Sequence, residues 1–411
     1  MDLRPILSTL QRHKTAAALI VLEIALSCAI ICNALFLIGN RIERMQRVSG
    51  LAENELVRVR VEGIAKDQDS AAVTRADLAA LAAIPGVTSV ASTNQVTYGN
   101  SAWNSSITLV KDQKQPNMNV ATYIGSQQLF DTMGLHLLAG RQFLPDEFIE
   151  WDAIQAPESK GHIASVIITR TMAEKLYPGV NAIGKTFFAW GEEPHRVVGV
   201  VDHLVRPNEQ GGPAQNEYAL LFPVNVSYDV GGNYLLRVSD RSRRDEVMKA
   251  ALKTLETSGP TRIIPAQQAK TFEQMRAEYY RPDRAMIWLL VAVSIALLVV
   301  TALGIVGLAS FWVQQRTRQI GVRRALGATR RQILHYFQAE NFLLATAGIA
   351  LGMLLAYAIN QLLMSKYALP RLPLSYLPVG AVTLWLLGQI AVFGPARRAA
   401  AVPPAVATRS V

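Results

Sequence analysis

Cysteine is nearly absent: Cys28 and Cys32 are the only two in 411 residues, four apart inside one apolar stretch. The rest of the chain therefore cannot be braced by disulfides, and the pair reads as ordinary packing of free thiols. Catalytic groupings are missing as well. His136, His162, His195 and His203 lie scattered without ligand spacing, and neither paired carboxylates nor a nucleophile with its base stands out. That argues against a metal site and against an enzyme.

Charge is missing from four long stretches, although the chain carries a net +10. Ala16 to Gly39 contains only Glu23, and Ala285–Val313, Asn341–Met364 and Leu377–Phe393 contain none. Hydrocarbon about 30 Å thick is crossed by roughly 20 apolar helical residues, so each stretch reads as a span. The last is the shortest, with Pro378 placed to suit a first helical turn. The first run is too long for a signal-peptide core and lacks a small-residue cleavage site before Arg41, so it reads as a retained anchor.

Acids are absent from the loop after the second span, which holds Arg316, Arg318, Arg323, Arg324, Arg330 and Arg331. Short basic flanks stay cytoplasmic. Arg4, Arg12 and Lys14 before the first span, and Arg397, Arg398 and Arg409 after the fourth, point the same way. The expected topology has both termini cytoplasmic and residues 41–283 outside. Arginines clustered at membrane boundaries, with no recognition motif, exclude a nucleic-acid footprint.

What is present completes the architecture: four transmembrane α-helices, with a large α+β extracytoplasmic domain inserted between the first and second. Residues 1–14, with Leu3, Ile6, Leu7 and Leu10 at helical spacing, read as a cytoplasmic amphipathic elbow lying in the interface with the lipid bilayer. The spans cover 16–40, 285–313, 341–364 and 377–393, separated by a cytoplasmic loop at 314–337 and a short outer loop at 365–376. A basic tail occupies 394–411. Arg41–Ser49 and Gln267–Tyr280 read as helical stalk segments.

Between them, strands are expected at Leu56–Glu62, Val87–Ser92, Ser106–Val110, Met118–Ile124, Ser165–Ile168, Phe187–Trp190, Arg196–Val201, Ala219–Pro223 and Tyr234–Val238. Helices are expected at Arg75–Ala83, Arg170–Leu176 and Arg244–Leu255. Roughly 240 residues are enough for two α+β lobes. Gln155–Gly161 and Pro207–Gln215 read as loops.

Gly179 to Thr186 matches G-x-x-x-x-G-K-[ST] at each fixed position. A phosphate loop must leave a strand and open a helix. Here a helix ending at Tyr177-Pro178 comes first and an extended segment follows, so Gly179 and Gly184 read as positive-φ turn positions.

Three regions stand out: "GLHLLAGRQF", "IITRTMAEKLYPGVNAIGKTFF" and "RVVGVVDHLV" between the first two spans, "RTRQIGVRRALGATRRQIL" in the basic loop, and "GPARRAAAVPPAVATRS" after the last span. In that order they resemble the periplasmic core domain, the coupling segment and the basic tail of the MacB/FtsX permease family of ABC transporters. Gln319 stands where the family pattern usually carries Glu, and Val402-Pro403-Pro404 where an acid is often found. The resemblance implies a permease subunit without its own nucleotide-binding domain, paired with a second permease, identical or paralogous. It also implies cytoplasmic ABC ATPase subunits that bind ATP and Mg, in the bacterial inner membrane. No cofactor is expected in this chain.

The implied coupling residues are Arg323, Arg324, Ala325, Leu326, Gly327, Ala328, Thr329, Arg330 and Arg331. Gly327 would interrupt the helix leaving the second span, and Thr329 would cap a short helix, Arg330–Phe337, lying along the inner face. Glu23 faces a partner or snorkels toward Lys14. Gly304, Gly307, Gly348 and Gly352 form small-residue packing faces. The implied mechanism is ATP-driven motion of the outer domain, which in this family expels a drug, peptide or lipid-linked substrate through an adaptor and outer-membrane channel, moves lipoproteins, or activates an envelope enzyme. The alternative is a signalling or mechanotransmission module that senses peptides or activates an envelope enzyme without transport.

Overall fold

The computed structural model describes residues 14–63, 69–100, 103–156, 161–209, 213–259, 262–367 and 371–403. The elbow expected at 1–14 lies almost wholly outside them, as do the end of the basic tail and parts of both loops at 155–161 and 207–215. The chain divides into two compact units, one of residues 1–46 and 282–411 and one of residues 47–281.

Among the described residues of the first unit, four helices are long and apolar enough to cross a membrane: α1 (Lys14–Gln46), α2 (Arg281–Gln315), α4 (Arg330–Tyr367) and α5 (Tyr376–Ala400). A nine-residue helix, α3 (Thr317–Ala325), lies between the second and third. At 1.5 Å per residue, the 33 residues of α1 reach roughly 50 Å, longer than the hydrocarbon alone. Its buried stripe, Ile20, Ile24, Cys28, Ile31 and Cys32, follows helical periodicity. Leu344, Ala345, Ile349 and Ala356 of α4 and Ala381 and Leu384 of α5 complete that core.

Two sequence expectations change here. The helix starting at Arg330 is not a short separate piece but the first turns of the 38-residue α4, because no proline stands between Arg330 and Tyr367 and the first glycine comes only at Gly348. The short helix of the loop is α3 instead. The first stalk segment stays helical only to Gln46.

In the second unit, a four-stranded sheet joins β1 (Leu56–Arg60) to β10 (Asn233–Val238), with β2 (Val87–Thr93) and β11 (Lys270–Thr271) at its edges, in the order β11-β1-β10-β2. Helices Ser70–Ala82 and Arg244–Thr257 cover it. The latter buries Val247, Ala251 and Leu255, one residue per helical turn.

A seven-stranded mixed sheet takes the order β3 (Asn104–Ile107), β4 (Met118–Ile124), β9 (Ala219–Phe222), β6 (Ser165–Thr169), β8 (His195–Val201), β5 (Leu137–Gly140). The remaining strand, β7 (Thr186–Phe187), pairs with β8. All five residues of β6 are buried, as its uninterrupted apolar run requires of a strand covered on both faces.

The two lobes are nested, not consecutive. β1 pairs with β10 across some 180 residues, Leu56 opposite Arg237, so the second lobe is an insertion within the first. The second stalk segment also changes: Lys270-Thr271 pairs with β1, and the helix runs only from Phe272 to Tyr279. Thr271 accepts from the Gln274 N–H at 3.2 Å while Gln274 reaches back to the Thr271 N–H at 3.1 Å, a reciprocal cap that fixes this start. The strand expected at Phe187–Trp190 is confined to Thr186–Phe187. Beyond it, Trp190 turns its indole N–H to Ser105 Oγ, 2.8 Å away.

His195 lies fully buried in the inserted lobe. One ring nitrogen, Nδ1, sits 2.6 Å from the Ile163 carbonyl, and Nε2 accepts from the Trp190 N–H at 3.2 Å, which fixes a neutral tautomer. Burial holds its pKa below the ordinary value. An unfolded histidine protonates near pH 6.5 while this one resists, so its contribution is complete above about pH 6.5 and is lost as pH falls through the folded value. The thermal midpoint of the wild type should therefore fall between pH 7 and 5. A smaller fall is expected for His195→Gln, and equal slopes in the two proteins would refute the assignment.

Candidate coupling site on the basic loop

The loop's shape follows from three local signals. Arg316, at φ −103° and ψ 11°, breaks the run between α2 and α3. Gly327 takes φ 97°, its N–H bonding to the Arg324 carbonyl at 3.2 Å while the Ala328 N–H reaches the Arg323 carbonyl at 3.0 Å. This is the glycine-dependent helix stop that satisfies two otherwise unpaired carbonyls. Thr329 then opens α4: its Oγ accepts from the Gln332 N–H at 3.3 Å, and the Gln332 side chain accepts from the Thr329 N–H at 2.8 Å.

Together α3 and the start of α4 enclose a cavity of about 540 Å³. Its base is apolar, with Ile320, Ile333 and Phe337 buried against Ala396, Ala399 and Ala400 of α5. Gln319, Arg323, Arg331, Gln332 and His335 give it a polar, basic rim. The Arg323 guanidinium lies 5.0 Å from the Tyr336 ring centroid. Leu326 stands at the tip of α3, 83% exposed, and Val322 is also exposed.

Of the expected coupling residues, Arg323, Ala328, Thr329 and Arg331 meet around this cavity. Ala325, Leu326, Gly327 and Arg330 are exposed around the turn, and Arg324 is half-buried. One residue that sequence reasoning passed over anchors the assembly. Glu340, 1% exposed, receives Arg316 Nη1 at 3.0 and 3.2 Å, and Arg316, itself 8% exposed, lies 5.4 Å from the Trp312 ring centroid. The signal was present: Glu340 is the one acid between Gln314 and Met364.

The packing residues divide. Gly348 backs onto Ile24 and the Val21 carbonyl, and Gly352 onto Cys28 and Ala25, so α1 and α4 touch through their backbones. Glu23 turns its carboxylate to Gly304 of α2, within the same chain. Gly307 is exposed and a Cβ there would meet nothing within 4 Å, so it packs against no helix among the described residues. Gly380 against Cys32 and Gly388 against Asn341 supply close approaches that were not anticipated.

Polar clamps were missed too. Ser27 bonds Thr301 at 2.8 Å, Asn33 donates to the Ala356 carbonyl at 3.1 Å, and Arg41 pairs with buried Asp283 at 2.5 Å. Polar residues inside or bordering apolar spans were the available sign.

The phosphate-loop match dissolves in the fold. Gly179 and Gly184 take φ 75° and 81°, after a helix and before β7. The Gly184 N–H is bonded to the Val197 carbonyl at 2.8 Å and the Lys185 N–H to the Ala182 carbonyl at 3.1 Å. Those amides are spent on the sheet and the turn.

Residues 17–254 match the family model of the MacB-like periplasmic core domain, and residues 291–404 that of the FtsX-like permease C-terminal domain. The chain belongs to the MacB/FtsX-like family of ABC transporter permeases. Among curated relatives, a macrolide export ATP-binding/permease protein MacB from Acinetobacter baylyi is 25% identical over 414 residues, covering 98% of this chain and 58% of that protein. The protein of the same description from Bradyrhizobium diazoefficiens is 30% identical over 236 residues, 55% of this chain and 34% of that one. The chain thus spans about half the length of such MacB relatives. A crystal structure of the periplasmic region of MacB from Actinobacillus actinomycetemcomitans aligns at 18% identity and a TM-score of 0.32, covering 52% of this chain and 87% of that one.

Proposed function

We propose that this MacB/FtsX-like permease turns ATP binding and hydrolysis by an ABC ATPase, which holds the ATP and Mg, into movement of residues 47–281, and so drives export of a substrate from the periplasm or envelope. The observation that carries the reading is the basic loop. α3 presents an exposed Leu326 ringed by Arg323, Arg324, Arg330 and Arg331, and Arg316 at its base is pinned to Glu340 of α4. A push on α3 therefore reaches α4 through a buried ion pair and α2 through the chain itself, and α2 leads directly into the outer unit.

The relatives are ATP-binding/permease proteins, which supports the pairing with an ATPase. The basic loops support an inner-membrane orientation with both termini cytoplasmic. On α2, Trp288, Leu289, Val299, Val300 and Leu303 remain exposed, a surface suited to the bilayer and to a second permease, identical or paralogous. An adaptor and outer-membrane channel would complete the export path for a drug, peptide or lipid-linked molecule.

The test is co-expression with the MacB-type ATPases of the same genome and purification in detergent. An ATPase should co-purify with the wild type and be lost, at least tenfold, with Leu326→Asp combined with Arg330→Glu. Both substituted side chains are exposed, so the variant should remain folded. A wild type that is folded yet binds no ATPase would overturn the reading in favour of a signalling module.

A further inference from the structure

Between the two lobes of the outer unit lies a second cavity, of about 190 Å³, lined by Arg58, Arg60, Asn94, Gln95, Trp103 and Asn233. Arg58 and Arg60 are two apart on β1, so their side chains share one face. Arg58 is 5% exposed. Its guanidinium donates to the Gln268 side chain, its Nε is buried without a partner, and no carboxylate among the described residues forms an ion pair with it. Arg60 reaches Glu62 at 3.5 Å, and its Nε is likewise buried and unpartnered.

The acid whose charge acts on Arg58, Glu278, is itself paired with Lys270 at 2.5 Å. Burial, and then the charge of Arg60, pull the Arg58 pKa down to about 10. Taking a guanidinium out of water without a counter-ion is costly. Two in one cavity repel.

The other polar groups of the wall are already committed. Asn94 donates to the Thr122 carbonyl at 3.0 Å and accepts from the Ile124 N–H at 3.1 Å. Gln95 clamps Trp103 from both sides, donating to its carbonyl at 3.1 Å and accepting from its N–H at 2.9 Å. Asn233 donates to the Gly231 carbonyl at 2.9 Å and the Asn94 carbonyl at 3.2 Å. The charged groups of the wall are therefore all cationic, which favours an anion over a neutral or positive ligand. Size narrows the choice further: drug-sized ligands occupy pockets of about 300 Å³ upward.

We infer that this cavity is a binding site for a small oxyanion, a phosphate or a carboxylate, held by Arg58 and Arg60 between the two lobes of the outer unit. The inference is independent of the ATPase reading. A planar guanidinium fork matches either anion, and a ligand bridging the lobes stabilises the folded unit by mass action.

The test uses the full chain in detergent, with inorganic phosphate and succinate as probes against sodium chloride of equal ionic strength. One of the two should raise the thermal midpoint by about 3 °C or more over chloride, and equilibrium dialysis should find about one anion per chain. A larger response to phosphate identifies a phosphate site, and one to succinate a carboxylate site. Arg58→Met should lower binding at least tenfold, and Arg60→Gln, at a partly exposed position, serves if Arg58→Met does not fold. Binding undiminished in the folded variant, or neither anion acting beyond chloride on the wild type, overturns the proposal.

Discussion

Arg316→Ala should destabilise the membrane unit by about 3–5 kcal/mol, the largest effect expected of any single polar substitution here. Glu340 is 1% exposed and Arg316 is its guanidinium partner at 3.0 Å. Removing the arginine leaves a carboxylate buried without that counter-charge, and the penalty is the desolvation of the acid more than the loss of the bond. The double substitution Arg316→Met with Glu340→Leu removes both charges and fills similar volume, so it should recover most of the midpoint in detergent unfolding. It should nevertheless lower ATPase stimulation if the pair transmits the push from α3. A double variant as unstable as Arg316→Ala would show that the loop's shape, and not the uncompensated charge, sets the cost.

Gly352→Ala is the second large effect. An added Cβ would lie 2.7 Å from the Ala25 carbonyl oxygen and 2.5 Å from Cys28 Cβ. Because the first of these is backbone, no rotamer change relieves it and α1 must move away from α4. Overpacking of this kind costs about 1–3 kcal/mol, and Gly352→Leu should prevent the folded unit from accumulating. Gly307→Ala is the control, since a Cβ there meets nothing within 4 Å, and no loss of stability is expected, the better helix propensity of alanine adding at most about 1 kcal/mol. Detergent unfolding of the three variants checks the ranking. If Gly307→Ala proves as harmful as Gly352→Ala, a second subunit packed on these positions governs the cost, and not the α1–α4 contact, because Ala is the better helix former.

Both predictions depend on features the sequence only partly exposed. Gly352 was legible as half of a small-residue pair with Gly348. Gly307 looked equivalent, spaced three residues from Gly304, yet only Gly304 meets another helix, through the Glu23 carboxylate. Spacing tells which residues share a face of a helix; it does not tell whether that face meets another helix. The turn at Gly327 and the cap at Thr329 were readable because a positive-φ glycine and a Thr-x-x-Gln box act over a few neighbouring residues. The length of α4 was misjudged because a cap marks where a helix starts and says nothing of where it ends.

The sequence by itself determined what depends on local composition and short range. The charge-free runs, the excess of arginine in one loop, most of the strands between Leu56 and Val238 and the refusal of the phosphate loop all follow from neighbouring residues and the solvent they tolerate. Only the tertiary structure decided what depends on residues far apart in the chain. It nested one lobe inside the other by pairing β1 with β10, paired Arg316 with Glu340, and set Arg58 and Arg60 of β1 against one cavity, Arg58 without an ion pair among the described residues. Pairing across 24 or 180 residues leaves no periodic trace, because it is chosen by burial and the satisfaction of buried charge in the assembled fold.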